Sequence, residues 1–185
     1  MKLQVKVKQG NKLSQKKTKI GILGGSFDPA HKGHLAISKE AVKRFKIKKI
    51  IWAITQKNPF KKKSNKKLID RINFCKKIIG KNKSIKVKYF EEIIKSNKTI
   101  DLINYLSRNK KYELFFLMGA DNLINFHKWH KYKNILKKSK LIVFDRQGYK
   151  KKSLNSKTYV KSSQNEVTFV EFNKVNISSS QLRKI

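Results

Sequence analysis

GILGGSFDPAHKGHL, residues Gly21 to Leu35, is the stretch on which the reading of the chain turns. Its left half is apolar and ends in the pair Gly24 and Gly25. Its right half sets His31 and His34 three residues apart around Gly33, and a helical pattern begins immediately afterwards. That order (buried strand, glycine turn, imidazole pair, helix start) describes a phosphate site at the carboxyl end of a sheet strand. Glycines let backbone approach an anion, amides at a helix N-terminus point at it, and the helix dipole favours negative charge there. Two imidazoles beside such a site can offset charge that builds on a reacting phosphate. Asp28-Pro29 is a turn signal, so the loop is expected to be shaped. A histidine pair also suits a metal, but no Cys or acidic partner stands at ligand spacing, and the glycine context favours phosphate.

Outward from this stretch, strand and helix signals alternate. KIGIL (Lys19–Leu23) reads as a strand buried on both faces. Leu35, Ser38, Val42 and Phe45 follow at helical spacing, predicting a helix from Gly33 to Arg44. KIIWAI (Lys49–Ile54) is a second strand, and the polar TQKNPFKKKSNKK after it is a loop over the binding crevice. Leu68, Ile72, Cys75 and Ile79 mark a helix ending at Gly80. Arg71 stands one step off its apolar stripe, and support of substrate or loop is its expected role. SIKVKY (Ser84–Tyr89) alternates as a third strand. Thr99 reads as an N-cap, with Asp101 placed in the first turn of the helix that follows. ELFFLM (Glu113–Met118) and KLIVF (Lys140–Phe144) are further strands. The first runs into Gly119-Ala120-Asp121, where Asp121 suits a helix cap or a polar ligand equally. Residues 149–165 hold one short strand candidate, TYV at Thr158–Val160, and Glu166–Phe172 alternates as the last strand. The alternation predicts a single α/β domain over residues 19–185, with an open, Rossmann-like parallel sheet covered by helices on both faces. The lysine-rich residues 1–18 are expected to form a mobile extension.

The 185 residues carry a net charge of +36, yet only five of the 47 basic residues are arginine. A chain shaped for nucleic acid usually relies on arginine for bidentate contacts. Here lysines are scattered over nearly every segment, which reads as solvated surface that helps draw in a polyphosphate, with no specific nucleic-acid partner. No apolar run approaches the roughly 18 residues of a membrane helix, and the start has no signal-peptide core, so no membrane partner and a cytoplasmic location are expected. The single cysteine, Cys75, falls on an apolar helix face and reads as packed core in a reducing compartment.

GGSFDPAHKGH resembles the first signature of the HxGH nucleotidyltransferases, and ISSSQLR (Ile177–Arg183) resembles the ISSTxxR motif that family carries near its C-terminus. GADNLINFHKW, NPFK and TIDLINYL extend the resemblance over most of residues 19–183, towards the bacterial nicotinate-nucleotide adenylyltransferases. The resemblance implies transfer of an adenylyl group from ATP, accompanied by Mg²⁺, to nicotinate mononucleotide, with no dedicated protein metal site. It implies that His31 and His34 are catalytic. Gly24, Gly25, Ser26, Phe27, Asp121, Ser178, Ser179, Ser180 and Arg183 would bind the nucleotide, and Lys61, Thr99, Trp129 and Arg146 would bind the acceptor. Three departures stand out. Serine replaces threonine at Ser180, glutamine replaces proline after Arg146, and the chain stops two residues after Arg183. Each residue has a plainer role too. Trp129 suits packed core, a serine suits the cap of a last short helix, and Lys61 suits a solvated run. His127 and His130 are expected at the surface.

Overall fold

The computed structural model of the chain describes residues 16–56 and 66–171. The strand of the decisive stretch is β1 (Thr18–Gly25), buried from Ile20 to Leu23, and the histidines open α1 (Lys32–Phe45). β2 (Lys49–Ile54), α2 (Leu68–Ile79) and β3 (Ile85–Tyr89) follow. After β3 come the short α3 (Glu91–Ile94), α4 (Thr99–Ser107) and β4 (Tyr112–Gly119). The one-turn α5 (Ala120–Leu123) leads through a 3-10 turn at Phe126–Lys128 to α6 (Tyr132–Lys138) and β5 (Lys140–Phe144). α7 (Lys150–Leu154) and α8 (Lys157–Lys161) precede β6 (Val167–Val170).

All six strands are parallel, in the order β3-β2-β1-β4-β5-β6. The first three strands therefore step one way from β1 and the last three step the other way. Because parallel crossovers are right-handed, that reversal puts the two sets of helices on opposite faces. The core is split accordingly. Ala41 of α1 and Cys75 and Ile79 of α2 pack with Trp52, Ile50 and Leu117 on one face. Ile103 and Leu106 of α4 and Ile135 of α6 pack with Ile22, Phe116 and Val143 on the other. Side chains alternate across the pleat, so each central strand feeds both layers and must be apolar throughout. Gly21 fits the same logic, since a Cβ there would lie 2.4 Å from Ile50 Cδ1.

Two local expectations are corrected, and the glycine turn is defined. Thr158–Val160 is not a strand; it lies within α8. Its β-branched and aromatic residues suit a strand, but the Ser156 side chain accepts from the Tyr159 N–H at 3.3 Å, and Thr158 is buried beneath the turn this cap starts. Thr99 is not the N-cap of α4 but its first residue, with Lys98 in the cap position. The capping chemistry falls to Ser96, whose Oγ accepts from Lys98 N (3.1 Å) and donates to Asp101 Oδ2 (2.6 Å). Gly24 and Gly25 do not have positive φ, and a Cβ on either would make only ordinary contact with protein, at 3.6 and 3.5 Å. The left-handed residue of the turn is Phe27, with φ 48°.

Candidate active site

The sheet order reverses between β1 and β4, and open α/β sheets bind ligands at the carboxyl end of such a junction. A cavity of about 570 Å³ opens there, between the β1 end at Gly24-Gly25 and the β4 end at Met118-Gly119. It is lined by ten of the residues singled out in the sequence: Gly24, Gly25, Ser26, Phe27, His31, His34, Thr99, Asp121, Trp129 and Arg146. Lys61, Ser178, Ser179, Ser180 and Arg183 lie outside the described residues, as do most of the loop after β2 and the basic start of the chain.

The histidines make a reciprocal helix cap. His31 is the N-cap of α1, and its Nδ1 accepts from the Gly33 N–H at 3.2 Å. His34, three residues on, returns its Nδ1 to the His31 N–H, also at 3.2 Å. This is the geometry of a capping box with imidazoles in place of the usual hydroxyl and carboxyl groups. An Nδ1 that accepts an N–H carries no proton of its own, so both rings are neutral tautomers with the proton on Nε2. The rings are tilted 34° to one another with centroids 3.8 Å apart, an arrangement two imidazolium cations would resist. Both rings line the cavity at the head of a helix dipole.

An aromatic floor holds the pair. Phe27 stacks on Trp52 (centroids 5.0 Å, planes 16° apart), and the His34 ring rests 4.7 Å from Phe27. Trp52 Nε1 donates to Ser38 Oγ at 2.8 Å, and Ser38 Oγ donates to the His34 carbonyl at 2.8 Å. The second turn of α1 and the indole of β2 thus lock one another in the core. Cys75, in the same layer, is buried, and desolvation pushes its thiol up to about 12, so it is no nucleophile at neutral pH.

Across the cavity, Asp121 and Arg146 form an ion pair at 2.8 Å, with both side chains largely covered. Gly119 lets the carboxylate lie close to the strand end, since a Cβ there would be 2.6 Å from Asp121 Oδ1. The turn after β5 closes with the Tyr149 N–H on the Arg146 carbonyl at 2.9 Å, and Gly148 takes φ 81°. A positive φ at the third position marks a type II turn, in which Gln147 fills the place proline favours. Trp129 packs edge-on against Phe116 (6.0 Å) and tilted against Phe126 (5.2 Å) while still lining the cavity, so it serves both as core and as wall. His130 is exposed as expected, and His127 is half-buried: its Nδ1 is covered, with no hydrogen-bond partner among the described residues.

Two residues with defined places were missed or only half-read. Glu91 lines the cavity and holds the β2 end, accepting from Thr55 Oγ1 and from the Gln56 N–H (3.2 Å). The signal was available, because Glu91 follows a parallel strand directly and so sits at the carboxyl edge. Arg71, expected to support substrate or loop, is buried and, among the described residues, donates to main-chain carbonyls, which is contact with the loops.

Residues 22–185 match the family model described as cytidylyltransferase-like. A probable nicotinate-nucleotide adenylyltransferase of Pelagibacter ubique is 67% identical over 179 residues, covering 97% of this chain and 99% of the relative. The chain belongs to this family. A further adenylyltransferase relative, from Aquifex aeolicus and under the same probable name, is 31% identical across 86% of this chain and 98% of its own length. Among solved structures, the fold matches Plasmodium falciparum nicotinic acid mononucleotide adenylyltransferase complexed with NaAD, with a TM-score of 0.75. That match has 22% identity and covers 90% of this chain and 83% of that one. A putative nicotinate-nucleotide adenylyltransferase of Vibrio parahaemolyticus superimposes at a TM-score of 0.62, with 16% identity over 90% and 85% of the two chains. No helix among the described residues is long and apolar enough to cross a membrane.

Proposed function

We propose that this adenylyltransferase joins ATP to nicotinate mononucleotide, forming the deamido dinucleotide and pyrophosphate, and that it works in the cytoplasm. The observation that carries the chemistry is the histidine cap. Two imidazoles have their Nδ1 atoms committed to backbone, and both rings line the cavity beside a helix N-terminus.

The acceptor's phosphate is mostly dianionic at neutral pH and already an adequate nucleophile. One of its oxygens forms a bond to the α-phosphorus while the bond from that phosphorus to the β-bridging oxygen breaks, and pyrophosphate leaves with the electron pair. No proton has to be removed from the nucleophile, so the protein's task is positioning and charge stabilisation. His34 donates to the α-phosphate oxygens as negative charge builds on them, and His31 holds the adjoining phosphate. The backbone of Gly25 to Phe27 lines the same side of the cavity. Ser178 to Ser180 and Arg183 are assigned to the departing pyrophosphate, and Lys61 to the acceptor phosphate, from their match to the family motifs. The Thr99 backbone at the head of α4 is assigned to the pyridine carboxylate, with Trp129 as the ring's wall. The Asp121–Arg146 pair closes the far end beside the adenosine and the acceptor.

Mg²⁺ fits as a passenger on ATP. Among the described residues no group of three His, Cys, Asp or Glu side chains converges as a cage, and Asp121 is taken by Arg146. Carried by ATP, the ion would supply charge neutralisation on the triphosphate.

The test is pyrophosphate release from ATP and Mg²⁺ with nicotinate mononucleotide, nicotinamide mononucleotide and phosphopantetheine offered in parallel. Strong preference for the first is expected. Release with another acceptor alone keeps the chemistry and removes Thr99 and Trp129 from the pyridine pocket, while release with none overturns the assignment.

A further inference from the structure

Arg71 is a fully buried cation on α2, and among the described residues no carboxylate pairs with it. Burying a charge without a counter-ion is unfavourable, and here desolvation pushes the guanidinium's pKa down, with Asp28 the largest opposing influence. What it gains is four main-chain carbonyls. Nη1 donates to Ser26 O at 2.6 Å and to Thr55 O at 2.8 Å, Nη2 donates to Gln56 O at 3.3 Å, and Nε donates to Lys66 O at 3.2 Å. The planar fork of five N–H groups can serve several acceptors in fixed directions, which a lysine ammonium cannot. One side chain thus ties the turn after β1 to the end of β2 and to the residue that leads into α2.

The Ser26 contact has a directional consequence. Ser26 and Phe27 line the cavity, whereas Arg71 does not. The Ser26–Phe27 peptide is trans, so its C=O and N–H point in opposite directions. A carbonyl drawn to the buried guanidinium sends the Phe27 N–H the other way, to the cavity side. Phe27 itself sits at φ 48°, a region a bulky residue enters only when its surroundings hold it there. Its ring is held by Trp52 and His34, and its peptide is held by Arg71. Without the guanidinium, rotation of that one peptide relieves the φ and turns the N–H away.

We infer that Arg71 is a positioning residue for the transfer reaction: its clamp on the Ser26 carbonyl aims the Phe27 N–H at the nucleotide's phosphates. The identity of that anion rests on the proposed function, but the geometry does not, so inorganic tripolyphosphate is the probe.

In the full chain, tripolyphosphate is expected to shift the Phe27 amide resonance, and Arg71→Lys is expected to abolish that response. The substitution is also expected to weaken tripolyphosphate binding about tenfold and lower kcat by about 30-fold or more, as loss of a well-aimed donor does. KM for nicotinate mononucleotide should stay within about threefold of the wild type, because the acceptor pocket is built from other elements. Arg71→Gln, which keeps part of the donor set, is the second variant should the lysine variant not fold. A Phe27 resonance that ignores tripolyphosphate in the wild type overturns the inference. So does a folded variant with unchanged kcat and tripolyphosphate affinity, whatever its thermal stability. Failure of the wild type to use any acceptor would instead strike the proposed function while leaving the resonance experiment readable.

Discussion

His31 and His34 each use Nδ1 to build the fold, and the proposed function gives the other ring nitrogen to chemistry. The two uses can be separated by substitution. Asparagine at an N-cap offers an oxygen where the imidazole offers Nδ1, so His31→Asn keeps the cap but has no counterpart of Nε2–H. His31→Asn is expected to hold thermal stability close to the wild type while cutting turnover by about 10²-fold, the effect of deleting one preorganised donor. His31→Ala is expected to lose the turnover and, in addition, about 1 kcal/mol of stability with the cap. Unfolding midpoints and pyrophosphate release on the three proteins check both halves. If the asparagine variant turns over normally, His31 is only a cap. The spacing of the two histidines was legible in the sequence, and so was their place at the start of a helix that follows the first strand. Their protonation was not, because it follows from which atom each ring gives to the backbone.

At the scale of elements, the strands were read closely. Lys49–Ile54 and Lys140–Phe144 are found with the expected bounds, because central parallel strands are continuous apolar runs that nothing else in the chain imitates. The errors fall on short pieces. Thr158–Val160 has strand-like residues but too few of them to outweigh a serine cap, and Thr99 gave its cap position to Lys98 because Ser96 reaches the same turn. The glycine argument also shifts. Gly24 and Gly25 are not demanded by their protein neighbours, so any demand comes from the cavity side, whereas Gly119 is demanded by Asp121. Gly119→Ala drives a methyl group against Asp121 Oδ1 and displaces the carboxylate from Arg146. The expected result is a rise of about tenfold in KM for ATP with stability changed by less than about 1 kcal/mol, since a single misplaced site contact is felt at the substrate first. Unchanged KM values in steady-state assays would free Asp121 from the nucleotide's end of the cavity.

At the scale of the whole molecule, topology brings together residues that lie 115 positions apart in the chain, from His31 to Arg146. The reversal of strand order at β1 and β4 makes one crevice, and among the described residues its lining comes from strand ends and the segments that follow them. The net charge of +36 acts at this scale as well. A field that strong raises the local concentration of a triphosphate and is screened once the Debye length falls below the size of the site, about 8 Å at 0.15 M salt. Raising the salt from about 0.05 M to about 0.3 M is therefore expected to raise KM for ATP severalfold while kcat stays nearly constant. A kcat that falls in parallel would mean that salt disturbs the site itself rather than the approach to it.

The sequence by itself determined the alternation of elements, the parallel sheet, the glycine turn that leads into a histidine-headed helix, and the family to which the motifs point. These are local properties: runs of apolar residues, caps, glycine and histidine spacings, each written within a dozen or so positions. Only the tertiary structure decided that both imidazoles are neutral, that the left-handed residue of the turn is Phe27, and that Arg71 faces carbonyls rather than a carboxylate. Those facts depend on where a hydrogen-bonding atom finds its partner, and the partners of Arg71 lie as far as 45 residues away. A pattern along the chain records which groups are present. Which of them meet is settled by the packing of α1 and α2 against one face of the sheet.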